Sequence, residues 1–217
     1  MSAGYLEIAG LELAEIGTHQ LGLPTCVEND AAMALIAECA LRNNGDQGLY
    51  AMVTIGTGIG GAVVQDGVPW YGGTFAGQFG HIVVSDHGPT CNCGREGCVE
   101  TFSSGTALGQ LIARYGLKSG LRAEALLDRA SAGDQTCTDV LLEWATPLRR
   151  AIDTLISVLD PAAIILGGGL GAEMTRALSL VPQAEGWFAP RHEAAKLGDT
   201  AGVIGAALCG YRCPEPA

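Results

Sequence analysis

Apolar residues recur along this chain at helical spacing in some segments and at strand spacing in others. Residues 21–27 have the pattern of a short strand, and the apolar residues after them fall on one face of a predicted helix. The residues of that face are Ala32, Leu35, Ile36, Cys39 and Ala40. A β-meander is predicted next, with strands at 49–55, 62–65 and 68–71. Asp66-Gly67 favours a type I′ turn between the last two strands, because both of its positions need a positive φ.

Helical patterns dominate residues 104–159, and the Asp-Pro pair that follows should end them. Pro147 is expected to kink or break the longest helix, since proline lacks the N–H that an α-helix needs. A short buried strand is predicted at 163–166, then a helix that ends near residue 181 and a final helix at about 201–211. Strands followed by helices, with a meander in front, are typical of an α/β domain.

The composition narrows the possible functions. The formal net charge of the 217 residues is −11, whereas nucleic-acid phosphates bind clustered Lys and Arg. No apolar run approaches the roughly 18 residues of a membrane span, and the first residues lack the basic start of a signal peptide. We therefore expect a cytoplasmic protein that binds no membrane. Nucleic-acid binding is expected only if a helix-turn-helix segment precedes this chain.

The eight cysteines are not spaced like a secreted disulfide scaffold. Three of them, Cys91, Cys93 and Cys98, lie close together, and the other five are scattered, mostly in apolar contexts. Those five are Cys26, Cys39, Cys137, Cys209 and Cys213. Free buried thiols together with one thiolate cluster indicate a reducing compartment.

The strongest chemical signal is the Cys-x-Cys-x-x-x-x-Cys string, with a histidine upstream of it. Zn²⁺ binds four ligands in a tetrahedron, and three cysteines with one histidine are a standard closed set. Glycines inside the string would permit the tight turns of such a loop. Inert core thiols are the alternative, but the surrounding residues are polar and glycine-rich. The string predicts a structural zinc site formed by His81, Cys91, Cys93 and Cys98.

A second signal is Glu28-Asn29-Asp30 at the start of the first predicted helix. Asn or Asp at this point is most often a helix N-cap, and the sequence taken alone favours that role. A kinase that acts on a hydroxyl also needs a carboxylate to orient the hydroxyl and accept its proton. Both roles are compatible, with Asn29 as the cap and Asp30 as the catalytic base.

Two glycine-rich stretches could approach a nucleotide. The first lies between two predicted strands, where backbone N–H groups can bind phosphate oxygens, but it has neither P-loop nor dinucleotide-binding spacing. Its candidate residues are Thr54, Gly56, Thr57, Gly58 and Gly60. The second, Gly167-Gly168-Gly169, follows a buried strand and either admits an adenine or forms a turn. Each stretch is a weak signal when taken alone.

Taken in order, these motifs resemble the ROK family (repressor, open reading frame, kinase). The matching strings are Val-Glu-Asn-Asp-Ala at 27–31, Gly-Thr-Gly-Ile-Gly-Gly at 56–61, Gly-His at 80–81, the cysteine string with Glu100, and Ile-Leu-Gly-Gly-Gly at 165–169. The resemblance covers almost the whole chain. It implies the actin-like ATPase fold, an α/β fold of two ribonuclease-H-like lobes with the nucleotide in the cleft between them.

The resemblance also implies individual roles. Asp30 would be the catalytic base, and Asn29 and Glu100 would bind sugar hydroxyls. His81 would have one ring nitrogen on zinc and the other on the sugar, and metal binding at one nitrogen would fix the ring orientation for the other. The first glycine-rich stretch would bind phosphate, and Gly167 to Gly169 would lie near the adenosine.

Two departures from the family pattern affect these expectations. Gln78 stands where the family usually has Glu, and an amide can hydrogen-bond a hydroxyl without bringing charge. The family's opening Asp-x-Gly-Gly-Thr phosphate loop has no match before Asn29. We therefore expect residues 1–45 to be the tail of a first lobe and residues 46–217 to be the second lobe, with about a hundred residues, an ordinary domain's worth, absent. Apolar surface should be exposed where the first lobe packs.

Three functions remain open. The leading one is an ATP-dependent hexose kinase that acts on a hexose or amino sugar, with Mg²⁺ bridging the phosphates. The second is the sugar-sensing domain of a ROK transcriptional repressor, which Gln78 slightly favours. The third is a catalytically inactive, zinc-stabilised remnant. The resemblance also implies a homo-oligomer.

Overall fold

The computed structural model describes residues 11–42, 47–182 and 191–210. Its helices are α1 (Leu13–Leu21), α2 (Asp30–Leu41), α3 (Glu100–Ser103), α4 (Gly105–Arg114), α5 (Ala123–Ser131), α6 (Gln135–Leu159), α7 (Gly171–Leu178) and α8 (Ala201–Gly210). Its strands are β1 (Leu49–Ile55), β2 (Ile59–Gln65), β3 (Val68–Pro69), β4 (Ala163–Gly167) and β5 (His192–Ala194). Single turns of 3₁₀ helix lie at Phe79–His81 and Gly198–Thr200. Among these residues, none of the helices has the length and apolar character to cross a membrane.

The strands form one sheet in the order β3-β2-β1-β4-β5. The first three strands are an antiparallel meander, and β4 and β5 extend it in parallel with β1. Thr54 near the end of β1 is paired with Gly167 at the end of β4. Because the carboxyl ends of parallel strands meet at one edge, both glycine-rich stretches begin at the same edge of the sheet.

The meander confirms the predicted hairpin and corrects two strand lengths. Asp66 and Gly67 have φ values of 52° and 74°, as a type I′ turn requires. β2 begins at Ile59 rather than at residue 62, because Ile59 is already paired with Ile55 across a short turn. β3 ends at Pro69 rather than at residue 71.

Helices cover both faces of the sheet. On one face, α3 to α7 form the larger core around the fully buried Trp144 of α6, together with Val53 of β1 and Ile164 of β4. On the other face, α2 packs against α8 and against the alternate residues Met52 and Ile165. This alternation of neighbouring residues between two cores is the period-2 pattern of a central strand.

The first predicted strand is wrong. Residues 21–27 contain the end of α1 and irregular chain, and Gly22 ends the helix with a φ of 65°. Leu21 and Leu23 are mostly exposed. Their apolar side chains therefore do not belong to a buried strand. The helix predicted after them is confirmed as α2, although Ala40 is exposed rather than buried.

The long helix α6 continues through Pro147 rather than breaking there. A proline removes one backbone hydrogen bond, but Trp144, Ala145 and Leu148 around it are all buried. Burial of this face stabilises the helix by more than a single hydrogen bond contributes. α6 ends at Leu159, as the sequence predicts, and its C-cap Asp160 has a φ of 41°.

The C-terminal elements and the cysteines also differ from the expectations in places. α7 ends at Leu178, before residue 181, and residue 211 and Cys213 lie outside the described residues. Cys26 is disulfide-bonded, so the prediction of a free thiol is wrong for it. Cys137 is a buried free thiol, as expected, and Cys39 is buried as well.

Glu38 links α2 to the chain between β5 and α8. Its side chain is fully buried, and Oε1 accepts hydrogen bonds from the backbone N–H groups of Lys196 and Leu197, both at 2.7 Å. Oε2 accepts a hydrogen bond from Arg42 at 2.7 Å, and Arg42 also binds Glu193 at 2.7 Å. These donors offset much of the desolvation penalty of a buried carboxylate.

The division near residue 45 into two lobes stays a prediction. α2 lies on the N-terminal side of that division, yet Leu35 and Ile36 are buried in the same core as Met52 and Ile165 of the sheet. This packing favours a boundary that lies before Asp30.

Candidate functional site

The predicted metal ligands come together in space as one cluster, which we call the thiol cluster (His81, Cys91, Cys93 and Cys98). One ligand atom from each residue lies within 4.8 Å of all the others. Nδ1 of His81 is 3.4 Å from Sγ of Cys91, and the sulfurs of Cys93 and Cys98 are 3.6 Å apart. Zn–S bonds of about 2.3 Å in a tetrahedron put two sulfurs about 3.8 Å apart, whereas a disulfide needs about 2.05 Å. The spacing therefore fits a tetrahedral zinc ion.

Backbone turns inside the cysteine string hold the sulfurs on one side. The N–H of Cys91 donates to the carbonyl of Arg95 at 2.7 Å, and the N–H of Gly94 donates to the carbonyl of Cys91 at 2.8 Å. Gly94 and Gly97 have φ values of 84° and 78°, where glycine carries no steric cost. A Cβ on Gly97 would also overlap the carbonyl oxygen of Ser85. The second glycine is therefore required by both conformation and space.

The thiols of the cluster lie in different electrostatic surroundings. The backbone N–H of Arg95, and then its guanidinium group, lower the pKa of the exposed Cys93 to about 6. Burial raises the pKa of Cys98 to about 12. A divalent cation bound by the cluster would supply the positive charge that keeps a buried sulfur deprotonated.

His81 is held in place by close packing of its 3₁₀ turn on β2. A Cβ on Gly80 would overlap the carbonyl oxygen of Ile59, and one on Gly77 would lie 2.6 Å from the carbonyl oxygen of Gly61. Only glycine allows the backbone of this turn to lie so close to β2. The close packing holds the half-buried His81 beside the cysteines. Since Nδ1 faces the sulfurs, Nε2 is the ring nitrogen left for another ligand. Gln78, which precedes the turn, is exposed.

Asn29 is the N-cap of α2, as predicted. Its side-chain oxygen accepts a hydrogen bond from the N–H of Ala32 at 3.0 Å, which leaves the two amide hydrogens of Asn29 as donors. Asp30 follows as the first helical residue and is exposed, with one carboxylate oxygen 2.8 Å from the N–H of Ala31. Asp30 therefore lies in the first turn of α2, at the positive end of the helix dipole.

The segment before α2 is joined to the chain that leads to His81. The hydroxyl of Tyr71 donates a hydrogen bond to the carboxylate of Glu28. Burial, and then this hydrogen bond to Glu28, raise the pKa of Tyr71. Asn29 and Asp30 follow Glu28 directly, and Gln78 lies in the chain after Tyr71. The structure thus places these predicted site residues on two segments that contact each other.

The loop between β1 and β2, the glycine hairpin (residues 54–61), leaves two neighbouring N–H groups unused. Gly56 donates to the carbonyl of Gly58 at 2.9 Å, and Ile59 donates to Oε2 of Glu100 at 2.7 Å. The N–H groups of Thr57 and Gly58 between them have no hydrogen-bond partner among the described residues. Adjacent free N–H groups of this kind form anion-binding concavities.

The glycines after β4 pack directly against this hairpin. Gly168 has a φ of 77°, and a Cβ there would lie 2.5 Å from the carbonyl oxygen of Ile55. The N–H of Leu170 donates to the same carbonyl at 3.0 Å. Among the described residues, no atom lies within 4 Å of the Cβ position of Gly169, so this position faces open space there. The structure therefore brings together the two glycine-rich stretches that were predicted separately.

A surface groove lies between these two stretches and includes residues that sequence reasoning missed. The groove is lined by Gly56, Thr57, Gly105, Thr106, Gly169 and Leu170. It continues into a cavity of about 320 Å³ beside Leu108 and Ile112 of α4, a volume at the lower end of the roughly 300–1,000 Å³ typical of small-molecule sites. One wall of this groove is the start of α4. It could have been predicted from Ser104-Gly105-Thr106, a pattern typical of a helix start, which follows the cysteine string.

Comparison with known proteins gives a family and a set of similar structures. The sequence model of the ROK family matches residues 6–210. The chain is 36% identical over 190 residues to an N-acetylmannosamine kinase of Escherichia coli, covering 86% of this chain and 64% of that relative. The chain therefore spans a little under two thirds of the length of the curated relatives that it matches.

Two solved structures extend this finding to the fold. A ROK hexokinase from Thermus thermophilus is 32% identical, with a TM-score of 0.77 over 92% of this chain and 69% of that one. A ROK glucokinase from Streptomyces griseus, solved with glucose and AMPPNP, is 29% identical, with a TM-score of 0.71 over 90% of this chain and 70% of that one. Since the family match and both structural matches extend over nearly all of the residues, the chain belongs to the ROK family and has its actin-like ATPase fold.

Proposed function

We propose that this chain forms the sugar-binding and part of the nucleotide-binding site of an ATP-dependent hexose or amino-sugar kinase. The observation that carries the proposal is the pair of free N–H groups at Thr57 and Gly58, in the hairpin that lines the groove beside the turn after β4. A phosphoryl-transfer enzyme acts mainly by positioning the phosphates and stabilising their charge. Backbone donors at a sheet edge are suited to that task.

In this proposal the nucleotide lies along the groove. Thr57 and Gly58 bind phosphate oxygens through their N–H groups, with Thr54, Gly56 and Gly60 shaping the loop around them. The turn of Gly167, Gly168 and Gly169 lies beside the adenosine. Mg²⁺ held by the nucleotide would neutralise charge on the phosphates.

The sugar lies, in this proposal, between the start of α2 and the thiol cluster. Asp30 accepts the proton of the sugar hydroxyl that attacks the terminal phosphoryl group of ATP, with ADP as the leaving group. Its exposure at a helix N-terminus leaves it accessible to a substrate. The free amide hydrogens of Asn29, the amide of Gln78, Nε2 of His81 and Oε1 of Glu100 bind the other hydroxyls. Zinc in the thiol cluster has a structural role, because all four of its ligands come from the protein.

The names of the relatives support a hexose or its N-acetylated amine as the substrate class. The E. coli relative is an N-acetylmannosamine kinase, and the two structural neighbours are a hexokinase and a glucokinase. A test should therefore include glucose and N-acetylmannosamine as the first two sugars.

The proposal is tested by Asp30→Asn. We expect ADP release with the preferred sugar to fall by at least about a hundredfold, since general-base catalysis contributes at least that much. Sugar affinity, measured by calorimetry, should change little, because the amide has the same shape as the carboxylate. Asp199→Asn is the matched control, since Asp199 is an exposed carboxylate on the 3₁₀ turn before α8.

A second candidate function is the sugar-sensing domain of a ROK repressor. Gln78 favours it, because a neutral amide at this exposed position suits binding without catalysis. For a sensor, the unmodified chain would bind sugar without releasing ADP, and Asp30→Asn would alter only sugar affinity. If the chain bound neither a sugar nor ADP, both candidate functions would be rejected.

A further inference from the structure

The chain that follows the thiol cluster contacts the glycine hairpin at its second strand. Glu100 lies two residues after Cys98, and its Oε2 accepts the N–H of Ile59 at 2.7 Å. A Cβ on Gly58 would lie 2.5 Å from the same oxygen, so the carboxylate packs against the hairpin backbone. One oxygen of Glu100 is thus used to hold the hairpin rather than a substrate.

The start of α4 contacts the other side of the hairpin. Gly105 donates its N–H to the carbonyl of Gly56 at 2.7 Å. Thr106 donates to the carbonyl of Thr57 twice, from its hydroxyl at 2.8 Å and from its N–H at 3.3 Å. The first donors of a helix usually need a partner outside the helix, and here the hairpin carbonyls supply it.

These contacts decide which groups remain for a ligand. The N–H groups at the start of α4 are already used, because Ala107 donates to the N-cap hydroxyl of Ser104 at 3.2 Å. The N-terminus of α4 is therefore no anion site of its own. By binding the carbonyls of Gly56 and Thr57, it fixes the peptide planes on either side of Thr57, whose own N–H stays free.

Buried side chains make the connecting segment rigid. The hydroxyl of Ser103 donates to the carbonyl of Trp144 at 2.7 Å, and the indole N–H of Trp144 donates to the carbonyl of Ser104 at 3.0 Å. Val99 is fully buried and donates its N–H to the carbonyl of Ile82 at 2.8 Å. The segment is thus fixed to α6 at one end and to the chain beside His81 at the other.

We propose that residues 98–106 form a brace between the thiol cluster and the glycine hairpin, with Glu100 and Thr106 as positioning residues for phosphate binding. The brace sets the hairpin in the conformation that leaves the N–H groups of Thr57 and Gly58 free. It follows that loss of the metal loosens the phosphate site as well as the sugar site. This inference rests on the proposed function, because it assigns the hairpin to a nucleotide.

The experiment compares Thr106→Val with Thr136→Val in the full chain. Thr136 is exposed and is also the second residue of a capped helix, and among the described residues no backbone hydrogen bond joins it to the glycine hairpin. Amide hydrogen exchange at Ile59 and Gly105 is followed by NMR, and ADP and glucose affinities are measured by calorimetry. We expect Thr106→Val to speed exchange at Gly105 and to weaken ADP binding about tenfold, the effect of one hydrogen bond. Glucose affinity should stay unchanged, and Thr106→Ser should restore ADP binding.

The outcomes separate this inference from the proposed function. Unchanged exchange in Thr106→Val overturns the brace, whether or not ADP binding weakens, because weakened binding alone would mean direct contact with the nucleotide. If the unmodified chain binds no ADP, the proposed function fails, and the exchange rates still decide whether the brace exists. A Thr136→Val variant that behaves like Thr106→Val would also overturn it.

Removal of zinc tests the other end of the brace. The zinc-loaded chain is treated with a chelator, and exchange at Ile59 is compared before and after. We expect faster exchange at Ile59, since its acceptor Glu100 lies next to the loosened cluster. Glu100→Ala should produce the same faster exchange with zinc still bound. Protection of Ile59 that survives both changes would overturn the coupling.

Discussion

The thiol cluster and the glycine hairpin lie at the two ends of one short segment, yet they are built in opposite ways. The cluster consists of side-chain atoms, one from each of four residues, within 4.8 Å of one another. The hairpin offers backbone N–H groups, and its side chains contribute little to that arrangement. The cluster therefore depends on which side chains are present, whereas the hairpin depends on the absence of side chains at a few glycines.

This difference predicts different sensitivity to mutation. A substitution of one ligand should destroy the cluster even when the backbone is unchanged. The hairpin should tolerate changes of side-chain chemistry. It should be destabilised when a Cβ is added at a glycine where the hairpin backbone contacts a neighbouring segment. Three substitutions test the comparison, and they are ordered by the size of the expected effect.

The largest effect is expected for Cys98→Ser. Cys98 is fully buried, and a serine hydroxyl there binds zinc poorly, so the metal should be lost from the whole cluster. The melting temperature should fall by on the order of 10 °C, as expected for a loss of about 3 kcal/mol or more. Native mass spectrometry and calorimetry measure the two results. Cys209→Ser, a free cysteine outside the cluster, should keep both zinc and stability.

A smaller effect is expected for Gly168→Ala, with Gly169→Ala as its matched neighbour. Alanine at 168 would have a φ of 77° and a Cβ 2.5 Å from the carbonyl oxygen of Ile55, which together should cost at least about 2 kcal/mol. In the part of the chain that the structure describes, the Cβ position of Gly169 has open space around it, so its substitution should change the free energy of unfolding by no more than about 0.5 kcal/mol. Urea unfolding of both variants gives the comparison, and equal stabilities would show that the hairpin is not limited by close backbone contact.

The smallest effect is expected for Gln78→Glu. The exposed amide becomes a charged acceptor without a change of backbone, so only the sugar site should respond. Affinities for glucose and N-acetylmannosamine should change relative to each other by about tenfold or less, as for one hydrogen bond. ADP affinity should not change. Constant ratios across the sugar panel would count against contact between Gln78 and the sugar.

The same difference explains what the sequence could predict. The cysteine spacing identifies the cluster directly, because ligand residues are recognisable by type, and Asn29 is recognisable as a cap for the same reason. The wall formed by Gly105, Thr106 and Leu170 was missed, since its residues contribute mainly backbone and have no distinctive type. Its role becomes visible only when the parallel pairing of β1 and β4 brings residues 56 and 169 to one sheet edge.

The wrong prediction at residues 21–27 has a different cause. Its apolar residues fit a strand locally, but a strand also needs a neighbour, and Leu21 and Leu23 are mostly exposed. The continuation of α6 through Pro147 has the same kind of explanation, because burial of Trp144 and Leu148 is a tertiary effect. The spacing of apolar residues predicted the remaining long elements well, because the apolar face of each is buried in one of the two cores.

The buried carboxylate of Glu38 has a consequence for the order in which this protein assembles on the ribosome. It accepts the N–H of Lys196, which lies 158 residues later in the chain. At a synthesis rate of roughly 5–20 residues per second, about 8 to 30 s pass between translation of the two partners. During that time the helix that begins with Asp30 lacks this anchor. A nascent chain therefore fixes α2 in its final position only when β5 and the residues just after it have been made.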